Sequence, residues 1–214
     1  MKFKFMSRLK QGRVRAGFTL IELLVVIAII GILAALITNL AGPASDKKRR
    51  ARVETELARL ETAIDSYKEK KGFYPPCNGI VNNVMTNQLF YELTGTVYND
   101  PNFQTVNGSE TISSGTILSF FGTPGFLNSS TDKSEVKNFF SSMKPTQHAE
   151  ISSTPDVEVM TVPVDGPNDI VLPGGKKINT WRYNSNKPTH NPESYDLWAD
   201  ILIGGKAVTI GNWK

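Results

Sequence analysis

Cysteine is nearly absent from this chain, because Cys77 is the only one among 214 residues. A single cysteine excludes an intrachain disulfide. Whatever domain the chain forms is therefore held by its hydrophobic core, by packing on a helix, or by neighbouring subunits. We interpret Cys77 as a small residue beside a turn rather than as a reactive thiol.

Motifs that carry catalysis are also missing. The sequence contains no H-E-x-x-H, G-x-S-x-G or C-x-x-C. His148 and His190 are isolated, with no second ligand at metal-binding spacing. Gly174-Gly175-Lys176 and Gly204-Gly205-Lys206 lack the earlier Gly and the Ser or Thr of a phosphate-binding loop. The sequence therefore predicts no enzyme, no catalytic residue, no cofactor and no metal site.

The most informative stretch of the sequence is the apolar run from Phe18 to Ala41. It holds 24 residues and a single charge, Glu22. At about 1.5 Å per residue, a helix of this length crosses a bilayer core of about 30 Å. The pattern predicts a transmembrane helix over residues 18–41.

Acidic residues are absent before this run. Residues 1–17 carry six basic side chains and no acidic one, and a basic flank stays on the cytoplasmic side. The carboxyl end of the run should then emerge outside the cytoplasm. The six basic residues are Lys2, Lys4, Arg8, Lys10, Arg13 and Arg15.

The excess of basic over acidic residues in the whole chain indicates membrane orientation. The chain has 24 basic and 20 acidic residues, a net charge of +4 and a pI near 9.1. Without the six basic residues of the first segment, 18 remain against 20, and the net charge becomes −2. The composition therefore argues against a nucleic-acid partner.

Glu22 is unusual for a plain membrane anchor. An acidic residue at membrane depth costs roughly 2.5–3.5 kcal/mol, and less near the interface. If the chain were cut between Gly17 and Phe18, the new amino group of Phe18 would be the one opposite charge at that depth. An amine and a carboxylate attract strongly in low dielectric, within one helix or across two parallel helices.

The stretch GFTLIELLVVIAIIGILAA resembles the class III signal of type IV pilin-like proteins. The resemblance implies that a prepilin peptidase cleaves after Gly17 and methylates the new amino terminus, Phe18. It also implies that Glu22 is required for filament assembly. A signal anchor that happens to carry one Glu is the alternative.

Residues 42–71 continue the helix in amphipathic form. One apolar stripe recurs at spacings of three and four, which is the helical period. Lys70-Lys71-Gly72 is typical of a helix end, with cations in the last turn and Gly at the cap. The stripe consists of Val53, Leu57, Leu60, Ile64 and Tyr67.

Residues 72–214 are expected to form a globular domain that covers this stripe. We predict a short helix over residues 87–95, strand pieces around 117–121, another helix over 134–142, and weak strands over 151–173. A strand over 179–183 and a hairpin over 195–210 with a Gly204-Gly205 turn follow. The expected fold class is α+β, a long amino-terminal helix on a small antiparallel sheet. The expected cover is Trp181, Leu197, Trp198, Val208 and Ile210.

Three further segments are similar to the major, G-type pseudopilins of type II secretion. They are the G-x-Y-P of residues 72–75, the Y-D-L-W of residues 195–198 and the N-W of residues 212–213. The chain cannot form the disulfide-bounded loop of many type IV pilins. It also lacks the acidic loop in which G-type pseudopilins commonly bind calcium, since only Asp196 and Asp200 lie near the Gly204-Gly205 turn.

The resemblance implies a structural filament subunit. After loss of residues 1–17, it would stand in the bacterial inner membrane with a periplasmic carboxyl-terminal domain and assemble into a periplasmic pseudopilus. Its implied partners are further copies of itself, prepilin peptidase, the inner-membrane assembly platform and minor pseudopilins. A type IV pilin for adhesion, motility or DNA uptake is the first alternative. An uncleaved single-pass protein with a periplasmic domain is the second.

Overall fold

The structure is a computed structural model that describes residues 17–78, 84–153 and 155–213, with the backbone alone at residues 36–43 and 153. The chain divides into two compact units, of which one ends at Gly42 and the other begins at Pro43. The first helix, α1, spans Leu20–Lys71 and contributes to both units. Residues 1–16 of the predicted leader lie outside the described residues.

Helix α1 ends where the sequence predicted. Gly72 has φ of 87°, and its amide donates to the carbonyl of Lys68 at 2.8 Å. A left-handed residue is the common end of a helix, and Gly adopts that conformation without a Cβ clash.

Short helices and small sheets make up the rest of the second unit, and they confirm the α+β prediction. Its helices are α2 (Leu89–Thr94) and α3 (Ser114–Phe121), with a 3-10 helix at Lys133–Glu135. The strands are β1 (Thr96–Asn99), β2 (Asn102–Thr105), β3 (Thr111–Ser113), β4 (Ser129–Ser130), β5 (His148–Ser153), β6 (Asp156–Met160), β7 (Ile170–Val171), β8 (Lys177–Ile178), β9 (Arg182–Asn184), β10 (Asp196–Ile203) and β11 (Lys206–Gly211).

The strands form four sheets among the described residues. Their orders are β3-β2-β1-β4, β11-β10-β9, β5-β6 and β7-β8. All pairs are antiparallel except β1 with β4. The predicted carboxyl-terminal hairpin is confirmed, since Ile203 pairs with Lys206 and Gly204-Gly205 form the turn with φ of 56° and 76°. Two positive φ values in a two-residue turn match the twist of the strands, and Gly supplies them most readily.

The hydrophobic core surrounds the amphipathic half of α1. All five residues of the predicted stripe are buried. Four of them have no exposed surface: Val53, Leu60, Ile64 and Tyr67. Trp181, Leu197 and Ile210 belong to the same cluster, as predicted, whereas Val208 packs at its edge. Trp198 is only half-buried and contacts Trp213 at a ring separation of 5.8 Å.

A buried carboxylate connects three parts of this unit. Glu92 of α2 is fully buried and accepts a hydrogen bond from the Tyr67 hydroxyl of α1 at 2.8 Å. It also accepts from the backbone amides of Leu127 and Asn128 at 2.7 and 2.9 Å. Burial raises the pKa of Glu92, and these hydrogen bonds oppose the shift.

Two predicted elements were wrong, and a third is displaced. Residues 117–121 belong to helix α3, because Ser113 caps its start by accepting from the Thr116 amide at 3.1 Å and Gly122 ends it in the left-handed conformation. Residues 134–142 form no α-helix. The amide of Phe139 donates to the carbonyl of Leu93 at 2.8 Å, so a tertiary contact replaces the helical ladder. The strand expected at residues 179–183 lies at β9 instead.

Candidate functional site

The predicted cleavage site lies just before α1. Gly17, Phe18 and Thr19 have no helical hydrogen-bonding pattern, and α1 begins at Leu20. Phe18 is 79% exposed. A Cβ added at Gly17 would meet no atom within 4 Å, so packing does not explain a glycine at this position. The Gly17–Phe18 bond therefore lies outside the helix in an exposed segment.

Thr19 and Glu22 cap the helix reciprocally. The backbone amide and the hydroxyl of Thr19 both donate to Glu22 Oε2 at 2.8 Å, and the Glu22 amide donates to Thr19 Oγ1 at 3.3 Å. The Leu23 amide donates to the Thr19 carbonyl at 3.2 Å, which makes Thr19 the cap residue. This arrangement is the capping box of T-x-x-E sequences. Sequence reasoning missed it, although Thr19 and Glu22 have the signal spacing.

The helical segment after Glu22 exposes apolar side chains on every side. All described side chains from Leu20 to Ala35 are exposed, and Leu20 reaches 82%. A helix that is apolar all round is normally surrounded by lipid or by protein. Within the described residues, no helical window meets both the length and the hydropathy needed to cross a bilayer.

The acids near the carboxyl-terminal turn are engaged within the chain. Asp196 accepts from the amides of Thr189, His190 and Asn191 at 2.7–3.0 Å. Burial opposes ionisation here, but these hydrogen bonds leave the pKa of Asp196 below its usual value. Asp200 accepts from the Thr209 hydroxyl at 2.6 Å. Its other oxygen lies 3.4 Å from Arg182 Nε.

The two histidines have different surroundings. The ring of His190 stacks on Trp213 with centroids 3.8 Å apart. The expectation that both histidines are isolated was wrong. His190 Nδ1 lies 3.3 Å from Asp196 Oδ2, and His148 Nδ1 lies 2.9 Å from Glu158 Oε2. Glu110 is also close, and one ligand atom from each of the three residues lies within 4.8 Å of the others. Their separation in sequence gave no signal for this cluster.

The comparisons with known proteins cover less than a third of this chain. The model of the prokaryotic N-terminal methylation motif matches residues 12–38, which include Gly17, Phe18 and Glu22. The type II secretion system core protein G of Klebsiella michiganensis is 48% identical over 60 residues, which is 28% of this chain and 42% of that protein.

Two further relatives carry the same name. The core protein G of Vibrio cholerae is 40% identical over 68 residues, or 31% of this chain and 46% of that protein. That of Escherichia coli K12 is 43% identical over 63 residues, or 29% and 43%. The chain thus matches less than half the length of these curated relatives. No solved structure matches it.

Proposed function

We propose that this chain, which carries the N-terminal methylation motif and resembles type II secretion system core protein G over 60 residues, is a structural subunit of a type II secretion-like pseudopilus. The proposal rests mainly on three features that follow one another along the chain. An accessible Gly17–Phe18 bond is followed by Glu22 and then by an exposed apolar helix.

The first step in this function is removal of residues 1–17. A peptidase needs access to its target bond, and the Gly17–Phe18 bond lies in an exposed segment outside the helix. Since the fold has no packing need for glycine at position 17, we infer that the peptidase selects it. Cleavage leaves Phe18 as the amino-terminal residue, which the same enzyme methylates.

The second step is assembly through the apolar helix. The amino group of Phe18 in one subunit pairs with Glu22 of the next, and this contact sets the register of parallel helices. The exposed apolar side chains after Glu22 move from lipid into a helical bundle at the filament core. Such contacts are head-to-tail and do not close, so they generate a filament.

The remaining features of the proposal follow from this role. The subunit is a single-pass protein of the bacterial inner membrane, and residues 72–214 face the periplasm. Its partners are copies of itself, prepilin peptidase, an inner-membrane assembly platform and minor pseudopilins. We propose no enzymatic activity, no nucleic-acid partner and no calcium at the Gly204-Gly205 turn. Asp200 already has a partner, and Asp196 has its own partners at the start of β10, away from the turn.

Amino-terminal sequencing and mass measurement of the protein from its native envelope test the first step. We expect methylated Phe18 as the first residue. A first residue of Met1 would overturn the proposal and favour the uncleaved anchored protein.

A deletion strain tests the secretion role. We expect exported proteins to accumulate in the periplasm and to be released again when the wild-type gene is restored. Normal export together with loss of surface adhesion, motility or DNA uptake would contradict the secretion role and favour a type IV pilin.

A further inference from the structure

The second unit contains a cluster of possible metal ligands that the filament function does not use. Glu110 lies directly before β3, His148 begins β5, and Glu158 lies in β6. One ligand atom from each residue lies within 4.8 Å of the other two. The three side chains thus converge from two different sheets.

The hairpin β5-β6 fixes two of these side chains. His148 pairs with Met160 and Glu150 pairs with Glu158, so His148 and Glu158 are diagonal neighbours on one face. Their Nδ1 and Oε2 atoms are 2.9 Å apart.

Packing against α2 holds both residues in place. The ring of Phe90 stacks on that of His148 at 5.0 Å and 30°. The backbone amide of Glu158 donates to the Tyr91 hydroxyl at 3.0 Å, and the Glu158 side chain is only 9% exposed. The imidazole and this carboxylate therefore have defined positions before any ligand arrives.

Negative charge accumulates around the cluster. Two of its three ligand atoms are carboxylate oxygens, and the third is an imidazole nitrogen. Glu150 also lies directly across the hairpin from Glu158, where like charges are destabilising. A bound cation would relieve this repulsion.

We propose that Glu110, His148 and Glu158 bind a divalent transition-metal ion, with zinc as the best match. Imidazole and carboxylate are both ordinary zinc ligands, and three protein ligands leave a fourth position for water. Calcium fits less well, because it takes six to eight oxygen ligands.

The site needs a small adjustment to close on the ion. Zinc lies about 2.0–2.2 Å from nitrogen and oxygen ligands, so tetrahedral ligands are roughly 3.3 Å apart. Glu110 is partly exposed in its loop and can move towards the fixed His148–Glu158 pair. Binding of the ion at His148 Nδ1 would replace the present hydrogen bond between Nδ1 and Glu158 Oε2.

The bound ion would cross-link elements of two different sheets. Glu110 belongs to the loop between β2 and β3, whereas His148 and Glu158 belong to the β5-β6 hairpin. The chain has one cysteine and cannot make this link with a disulfide. This site does not depend on the proposed filament, because its three ligands come from one protomer.

Calorimetric titration of the metal-stripped full chain in detergent with zinc chloride tests the site. We expect about one zinc ion per chain and a rise in Tm of about 5–10 °C at zinc concentrations 100-fold above Kd. Calcium and magnesium chloride should give no comparable rise.

Three single variants locate the binding. Glu110→Gln and His148→Gln should each weaken zinc binding at least about tenfold, as expected when a ligand or its close support is lost. His190→Gln is the matched control, since His190 lies outside the cluster, and it should bind zinc as the wild type does.

Several outcomes would overturn the proposal. They are the absence of stoichiometric zinc binding in the wild type, unchanged affinity in Glu110→Gln, or an equal loss in His190→Gln. Glu110→Gln keeps the His148–Glu158 pair and the Phe90 contact, so it decides the question even where His148→Gln fails to fold. Far-UV circular dichroism of each metal-free variant checks the fold.

Discussion

The carboxylate of Glu22 accepts two hydrogen bonds from Thr19, one from its amide and one from its hydroxyl, both at 2.8 Å. Sequence reasoning gave Glu22 a single role, as the partner of a newly formed amino group in another subunit. The structure adds a second role within its own helix. Because the two roles depend on different properties of the side chain, substitutions can separate them.

The variant Glu22→Gln tests the charge directly. Gln also serves in a capping box, so the helix start is preserved while the negative charge is lost. We expect normal cleavage after Gly17 but no filaments, measured by the mass of the mature protein and by electron microscopy. Glu22→Ala, which removes both properties, should behave in the same way.

Thr19→Ala is the matched control, because it removes the hydroxyl and leaves the carboxylate charge. We expect filaments to form. If Thr19→Ala lost filaments while Glu22→Gln retained them, helix capping rather than charge pairing would explain the need for Glu22.

The Tyr67–Glu92 hydrogen bond should contribute measurably to stability. Tyr67→Phe removes one of three donors to a fully buried carboxylate. A hydrogen bond to a charged group contributes about 1.5–3 kcal/mol, and we expect the free energy of unfolding to fall by that amount. Denaturant unfolding of the full chain in detergent gives the value.

Tyr98→Phe is the control for this measurement. Tyr98 donates to Asp100 at 2.7 Å, but this contact is exposed to solvent. The expected loss is within about 0.5 kcal/mol. Equal losses in the two variants would contradict the importance of burial for the Tyr67 contact.

Buried Glu92 should also make stability depend on pH. Its pKa is raised in the folded state, so the folded chain retains a proton that the unfolded chain has released. Stability from this group therefore declines as pH rises from its ordinary pKa of 4.5 through the higher folded value.

Comparison with Glu92→Gln isolates that dependence, because Gln does not titrate. We expect the free energy of unfolding of the wild type, relative to the variant, to fall as pH rises above the ordinary pKa of 4.5. Parallel profiles for the two proteins would contradict the raised pKa.

The buried stripe of α1 should dominate the stability of the second unit. Leu60 has no exposed surface, and Leu60→Ala should lower the free energy of unfolding by about 2–5 kcal/mol through lost burial and a cavity. Leu118→Ala removes the same atoms from a side chain that is 56% exposed and should change stability by less than about 0.5 kcal/mol. A small change in the free energy of unfolding for Leu60→Ala would contradict a dominant role of the stripe in stability.

Local signals explain which elements could be predicted. The 3–4 spacing of the stripe, the end of α1 at Gly72 and the two-glycine turn of the final hairpin each depend on neighbouring residues alone. Residues 117–121 were predicted as strand from their apolar side chains alone. The signals for helix α3 are its caps, Ser113 and Gly122. Along residues 134–142, the amide of Phe139 donates to the distant carbonyl of Leu93, a contact that no local pattern encodes.

The sequence by itself determined the amino-terminal signal, the apolar run and the amphipathic stripe, because each is a pattern of adjacent residues with a direct physical reading. Only the tertiary structure decided that Glu92 is buried against Tyr67, and that Glu110, His148 and Glu158 meet. These contacts join residues at least 10 positions apart, and no periodicity encodes them. They arise when separate elements pack around one core and bring distant side chains to the same point.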